Sequence, residues 1–164
     1  MKLTLLAMTL GGNVAQASVV SALSVAGAVP DLPLVLTVFW ALRRGPEVGC
    51  LAGFLAGLFQ DVSGGGLMGV QALTKAIGGF GLGLAAGRLW AENPLVQIPA
   101  LVLFTVLEGT ARWALLQLFH YPAAFTPLMT DVILPQALYN GALGAAGVAA
   151  MTIAEHVRVR AAWR

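Results

Sequence analysis

Apolar residues run along this chain in long blocks, separated by short clusters of turn-forming residues. The blocks cover about 3–28, 30–42, 46–61, 67–89, 94–119 and 126–156. Between them stand Pro30, Gly45-Pro46, Ser63-Gly64-Gly65-Gly66, Asn93-Pro94 and the stretch from Tyr121-Pro122 to Pro127, all of which interrupt regular structure. The first, fourth, fifth and sixth blocks exceed about 20 residues, enough for a helix to cross a hydrocarbon core roughly 30 Å thick. The second and third are short. At 1.5 Å per residue, the block 30–42 reaches only about 20 Å. These two are expected as short helices buried by their neighbours or as a re-entrant hairpin.

Composition turns this pattern into a class. Of 164 residues, 59% are apolar and only 10% charged, with a mean hydropathy of +0.85. Soluble domains carry about 25% charged residues, so too few polar groups are present to coat a water-facing surface. The expectation is an all-α integral membrane protein, a six-helix transmembrane bundle forming a single transmembrane domain over 1–164. The nine basic residues orient it. With the N-terminus inside, Lys2, Arg43, Arg44, Arg88, Arg158, Arg160 and Arg164 all fall on one face, and the turns near 29, 63–66 and 120–125 hold no Lys or Arg. That asymmetry predicts six spans with both termini cytoplasmic. A re-entrant hairpin would strand Arg43 and Arg44 at membrane depth, which favours true spans. Lys2, the run Leu3–Leu10 and Ala15-Gln16-Ala17 imitate a secretory signal, but the apolar run continues to Val29 and reads as a retained first helix.

The third and fourth blocks carry glycine ladders, Gly49, Gly53 and Gly57 in one and Gly79, Gly83 and Gly87 in the other. A helix-interior glycine costs about 1 kcal/mol relative to alanine in a soluble helix. In lipid, glycines let backbones approach and recover van der Waals contact. The two blocks flank a short turn, so they are expected to pack antiparallel, with Gly49 against Gly87, Gly53 against Gly83 and Gly57 against Gly79. A homodimer seam is the weaker reading because a partner helix lies next in sequence. Gly81-Leu82-Gly83-Leu84-Ala85-Ala86 fits a dinucleotide fingerprint in letters only, since no strand precedes it.

Lys75, Glu108 and Arg112 fall within long spans, where charge is expensive and normally faces the bundle interior. Glu108 and Arg112 are spaced to pair on one helix face, as are Gln71 and Lys75. Asp61 and Asp131 approach the same depth, while Gln16 and Asn140 sit nearer the midplane. The structural reading, a closed polar network that fixes helix register, stands ahead of a substrate or ion cavity. Enzyme signatures and cofactor motifs are missing, so neither catalysis nor a cofactor is expected. Cys50 is the sole cysteine, and His120 and His156 are far apart, which argues against a disulfide or a metal site. A net charge of +2 gives no reason to expect a nucleic-acid partner.

Residues 30–83 carry a more specific signal. Pro30-Asp31-Leu32 opens the second block, Ala41-Leu42-Arg43-Arg44-Gly45-Pro46 forms the next turn, and Gly53 to Asp61 follows as Gly-Phe-Leu-x-Gly-Leu-x-x-Asp. A glycine-rich turn and Gly69-Val70-Gln71-Ala72-Leu73 complete the series. In order and spacing this resembles the bacterial rod-shape-determining membrane protein family MreD, and Gln16 also suits it. The resemblance implies a non-enzymatic inner-membrane component of the cell-elongation machinery. It further implies binding to the bitopic protein MreC and, through it, a link to RodA and a class B penicillin-binding protein that build peptidoglycan. The family's fold is thought to be similar to the S components of energy-coupling-factor transporters, which keeps a small-molecule-binding subunit as the alternative. Phe39, Trp40 and Trp113 are candidate anchors for a partner helix, although lipid or core packing is the plainer reading for each. Arg43 and Arg44 are expected to hold their turn at anionic membrane lipids, ahead of binding a cytoplasmic partner.

Overall fold

In a computed structural model, the described residues are 7, 11–16, 18, 29–64, 67–87, 93–120 and 124–162. They form six helices and no strand. Helix α1 is described over 11–16, so most of the first predicted span and its orientation lie outside the described residues. Helices α2 (Leu32–Arg44), α3 (Pro46–Gly64), α4 (Val70–Ala86) and α5 (Pro94–Leu118) follow. Helix α6 is composite, with one α turn (Phe125–Leu128), a π-helical stretch (Met129–Ile133) and a long α-helix (Leu134–Ala162).

Local chemistry explains the boundaries. Asp31 caps α2, its Oδ1 accepting the Leu34 N–H at 3.0 Å, and Pro33 sits in the first turn where its missing donor does no harm. Gly45 ends α2 at φ 87°, a conformation open mainly to glycine, and Pro46 starts α3 directly. The π-helical stretch precedes Pro135, which has no N–H to give. Leu134 instead donates back to the Met129 carbonyl, and the widened turn buries Ile133 against Gly109 of α5.

Helices α3 and α4 form the most extensive pair, with α2 across both and α5 against α4 and α6. Leu34, Val38, Leu42, Ala86, Leu101 and Phe104 make one buried apolar cluster, and Trp40 with Ala52 a second. The outer faces are also apolar. Leu51, Phe54, Leu58 and Val62 form an exposed stripe on α3, and Leu73, Ile77, Phe80 and Leu84 one on α4. Meanwhile Asp31, Asp61, Lys75, Glu108 and Asn140 are buried. This polarity is inverted relative to a soluble protein and matches a lipid environment. One helix among the described residues, over Val96–Leu118, is both long and apolar enough to cross a membrane by itself.

Candidate functional site: a buried ion triad beside an apolar cleft

The centre of the polar interior is Lys75 on α4, fully buried. Its Nζ lies 3.0 Å from Asp31 Oδ2 at the start of α2 and 3.1 Å from Glu108 Oε1 on α5. Gln71, one turn earlier, contributes Oε1 at 3.5 Å. Each carboxylate has further donors. Asp31 Oδ1 accepts from Gln60 Nε2 at 2.9 Å, and Glu108 Oε1 accepts from Thr74 Oγ1 at 3.0 Å. A second layer ties the network to the remaining helices. Asp31 N–H donates to Asn140 Oδ1 at 2.8 Å, and Asn140 Nδ2 donates to Thr105 Oγ1 at 3.2 Å. Gln16 on α1 donates to the Pro30 carbonyl and accepts the Leu32 N–H, holding the turn that carries Asp31. Paired charges and satisfied donors are what burial in a low dielectric demands.

Several sequence expectations change here. Glu108 pairs with Lys75 and not with Arg112, because the long lysine stem reaches between helices. Arg112 is half-buried and makes no ion pair with a described residue. Asp131 is exposed on the π-helical stretch and accepts from Thr130 at 2.7 Å, away from the triad. Asp61 is buried but serves the backbone. Its two oxygens accept the N–H groups of Gly69, Gln71 and Ala72 at 2.9, 3.1 and 3.0 Å, capping α4 from a neighbouring helix. Gly69 itself supplies no side-chain cap.

That cap resets the glycine register. With the start of α4 drawn level with Asp61, Gly49 meets Gly79, Gly53 meets the Lys75 backbone, and Gly57 meets the Gln71 backbone. Gly83 packs on Gly45 and Pro46. A Cβ at Gly49, Gly53, Gly57, Gly79 or Gly83 would collide with main-chain atoms. Gly87 lies outside the ladder, exposed at the end of α4. The antiparallel glycine pairing is therefore centred on Gly64, where the sequence spacing had suggested Met68.

The aromatic candidates divide. Trp40 is buried and belongs to the core, with Phe39 edge-on at 5.7 Å. The exposed Arg43 and Arg44 lie over the Phe39 and Trp40 rings at 4.6 and 5.9 Å. Trp113 packs on Phe125 at 4.8 Å, joining α5 to the start of α6. Pro30 is buried beside the triad.

A feature the sequence reading missed lies between α4 and α5. An open cleft of about 1050 Å³ is lined by apolar side chains from Leu73 to Ala85 on α4 and from Val96 to Leu118 on α5. Thr74 and Glu108 are the polar groups in its wall. The exposed Ile77, Leu103 and Leu107 are its rim. The small residues Gly78, Gly81, Ala85, Ala111 and Ala114 facing this side were the available signal, overshadowed by the stricter ladder on the opposite face. Asp31 was noted only in the Pro30-Asp31-Leu32 element that opens the second block; its reach to Lys75 depends on how deeply the short α2 begins.

A family model described as rod shape-determining protein MreD matches residues 2–152. No curated protein and no solved structure matches the chain.

Proposed function

The chain belongs to the rod shape-determining protein MreD family, and we propose that it is a non-enzymatic, multi-pass scaffold of the bacterial inner membrane with both termini cytoplasmic. In this reading it binds MreC within the bilayer and through it contributes to assembling RodA and a class B penicillin-binding protein for peptidoglycan synthesis. The observation that carries the reading is the α4–α5 cleft. Its α5 wall extends from Val96 to Leu118, about 33 Å at helical rise, which matches the hydrocarbon core. The α4 wall is shorter, Leu73 to Ala85 or about 18 Å, so an occupant long enough to follow the full α5 wall, a transmembrane helix, suits the cleft. Small residues along the wall let a partner backbone approach closely.

The interior supports a scaffold over a small-molecule carrier similar to an S component. Lys75 is held by two carboxylates and fully buried, so its charge is already engaged without a ligand. Co-purification in mild detergent with tagged MreC from the same organism tests the reading. A Cβ at Gly81 meets nothing, so Gly81→Trp fills the cleft while sparing the fold. Wild type is expected to co-elute and Gly81→Trp to lose the partner. Equal recovery of MreC by both proteins would exclude the cleft as its seat.

A further inference from the structure

Glu108 stands between two environments. Its Oε1 takes hydrogen bonds from Lys75 Nζ and Thr74 Oγ1 at 3.1 and 3.0 Å. Its Oε2 accepts no hydrogen bond from a described residue, and the side chain lines the cleft midway between Val96 and Leu118. A carboxylate oxygen without a donor at that depth has lost water and gained nothing in exchange. Asp31 and Glu108 bring two negative charges to the Lys75 ammonium, and the nearby Arg112 guanidinium, whose charge also acts on Lys75, offsets the second without donating to either carboxylate. Arg112, a turn beyond Glu108, pairs with neither carboxylate and is not part of the cleft wall.

We propose that Glu108 is a recognition residue of the cleft: it selects a transmembrane helix carrying a hydrogen-bond donor at mid-span, which bonds to Oε2. This rests on reading the cleft as the seat of a partner helix. The chemistry disfavours lipid occupants, because acyl chains carry no donor at that depth and a phosphate headgroup would meet a carboxylate. The apolar walls supply contact along the whole span, and Glu108 supplies register, since one polar pair in a greasy seam fixes which turn faces which.

The test uses the full chain in phosphatidylcholine vesicles with two synthetic leucine-rich helices of about 23 residues, the length of one span. One carries a central lysine, the other norleucine, which has the same chain length and no ammonium. Energy transfer from the protein's tryptophans to a dansyl group on the helix reads binding. The lysine helix is expected to bind wild type about tenfold tighter. Glu108→Gln, which keeps an acceptor for Lys75, is expected to reduce that preference to less than about twofold, and Gly81→Trp to abolish binding of both helices. If Glu108→Gln does not fold, Glu108→Asp, which withdraws the charge by one methylene, is read in its place. Equal affinity of both helices for wild type, with Gly81→Trp still blocking them, overturns the role of Glu108 and leaves the cleft reading intact. Binding unaffected by Gly81→Trp, or no binding of either helix, overturns both.

Discussion

Lys75 shows how a charge is tolerated inside this protein. Its ammonium has a carboxylate on either side, and each carboxylate carries an additional side-chain donor. Removing one member of such a cluster leaves an uncompensated buried charge. Lys75→Met is therefore expected to destabilise the protein by about 3–5 kcal/mol, read as a lowered midpoint of thermal unfolding in detergent. Adding Asp31→Asn and Glu108→Gln to Lys75→Met is expected to recover much of that loss, because the neutral triple variant has no stranded charge. No recovery would mean that the triad acts through shape and not through charge balance. The presence of a buried lysine was legible in the chain, since a charge inside an apolar block has nowhere else to go. Its partners were less so. Arg112 was the nearest candidate for Glu108 along the helix, but spacing within one helix says nothing about a lysine arriving from the next.

At the scale of helices, the α3–α4 pair separates two kinds of glycine. Gly53 faces the Lys75 main chain and has no space for a side chain, whereas Gly81 faces the open cleft. Gly53→Leu is expected to prevent the two helices from closing and to abolish a folded, monodisperse peak in size-exclusion chromatography. Gly81→Ala is expected to be neutral or to stabilise by up to about 1 kcal/mol, the helix-propensity gain alone. If Gly53→Leu behaved like Gly81→Ala, the close approach of these helices would be disproved. Proline and glycine placed the helix limits well, because each breaks the backbone for a local reason. The ladder was legible from its spacing, and its register was not. Register is set by Asp61, whose three backbone hydrogen bonds cross from one helix to the next. A capping aspartate at the far end of the preceding helix leaves no mark in the local sequence of the helix it caps.

For the whole molecule, polarity points inward and greasy stripes point outward. Hydropathy made the class legible, although single helices are weaker witnesses: among the described residues, only Val96–Leu118 passes as a span alone. The short α2, 13 residues, depends on neighbours to shield it, whereas α3, expected to be short, extends over 19 residues and is longer than α4. Single-cysteine labelling tests the proposed orientation. With Cys50→Ala as background, Arg44→Cys is expected to react with an impermeant maleimide only after the cells are opened. Ser63→Cys, on an exposed residue at the far end of α3, is expected to react in spheroplasts with the outer membrane removed. The reverse pattern would invert the orientation, and reaction of both from one side would make α3 a re-entrant segment.

The order of the triad along the chain has a consequence for biogenesis. Asp31 is synthesised before Lys75 and Glu108 after it. When α4 leaves the translocon, its ammonium already has one counter-ion waiting at the start of α2, and α5 later delivers the second. A lysine entering lipid alone would meet the insertion penalty of an isolated charge, about 2.5–3.5 kcal/mol at mid-helix. Chains truncated after Asn93 are accordingly expected to integrate α4 less efficiently with Asp31→Leu than with Asp31 intact, as scored by protease protection of a reporter fused at the truncation point. Equal protection would mean that α4 enters the bilayer without help from the helix made before it.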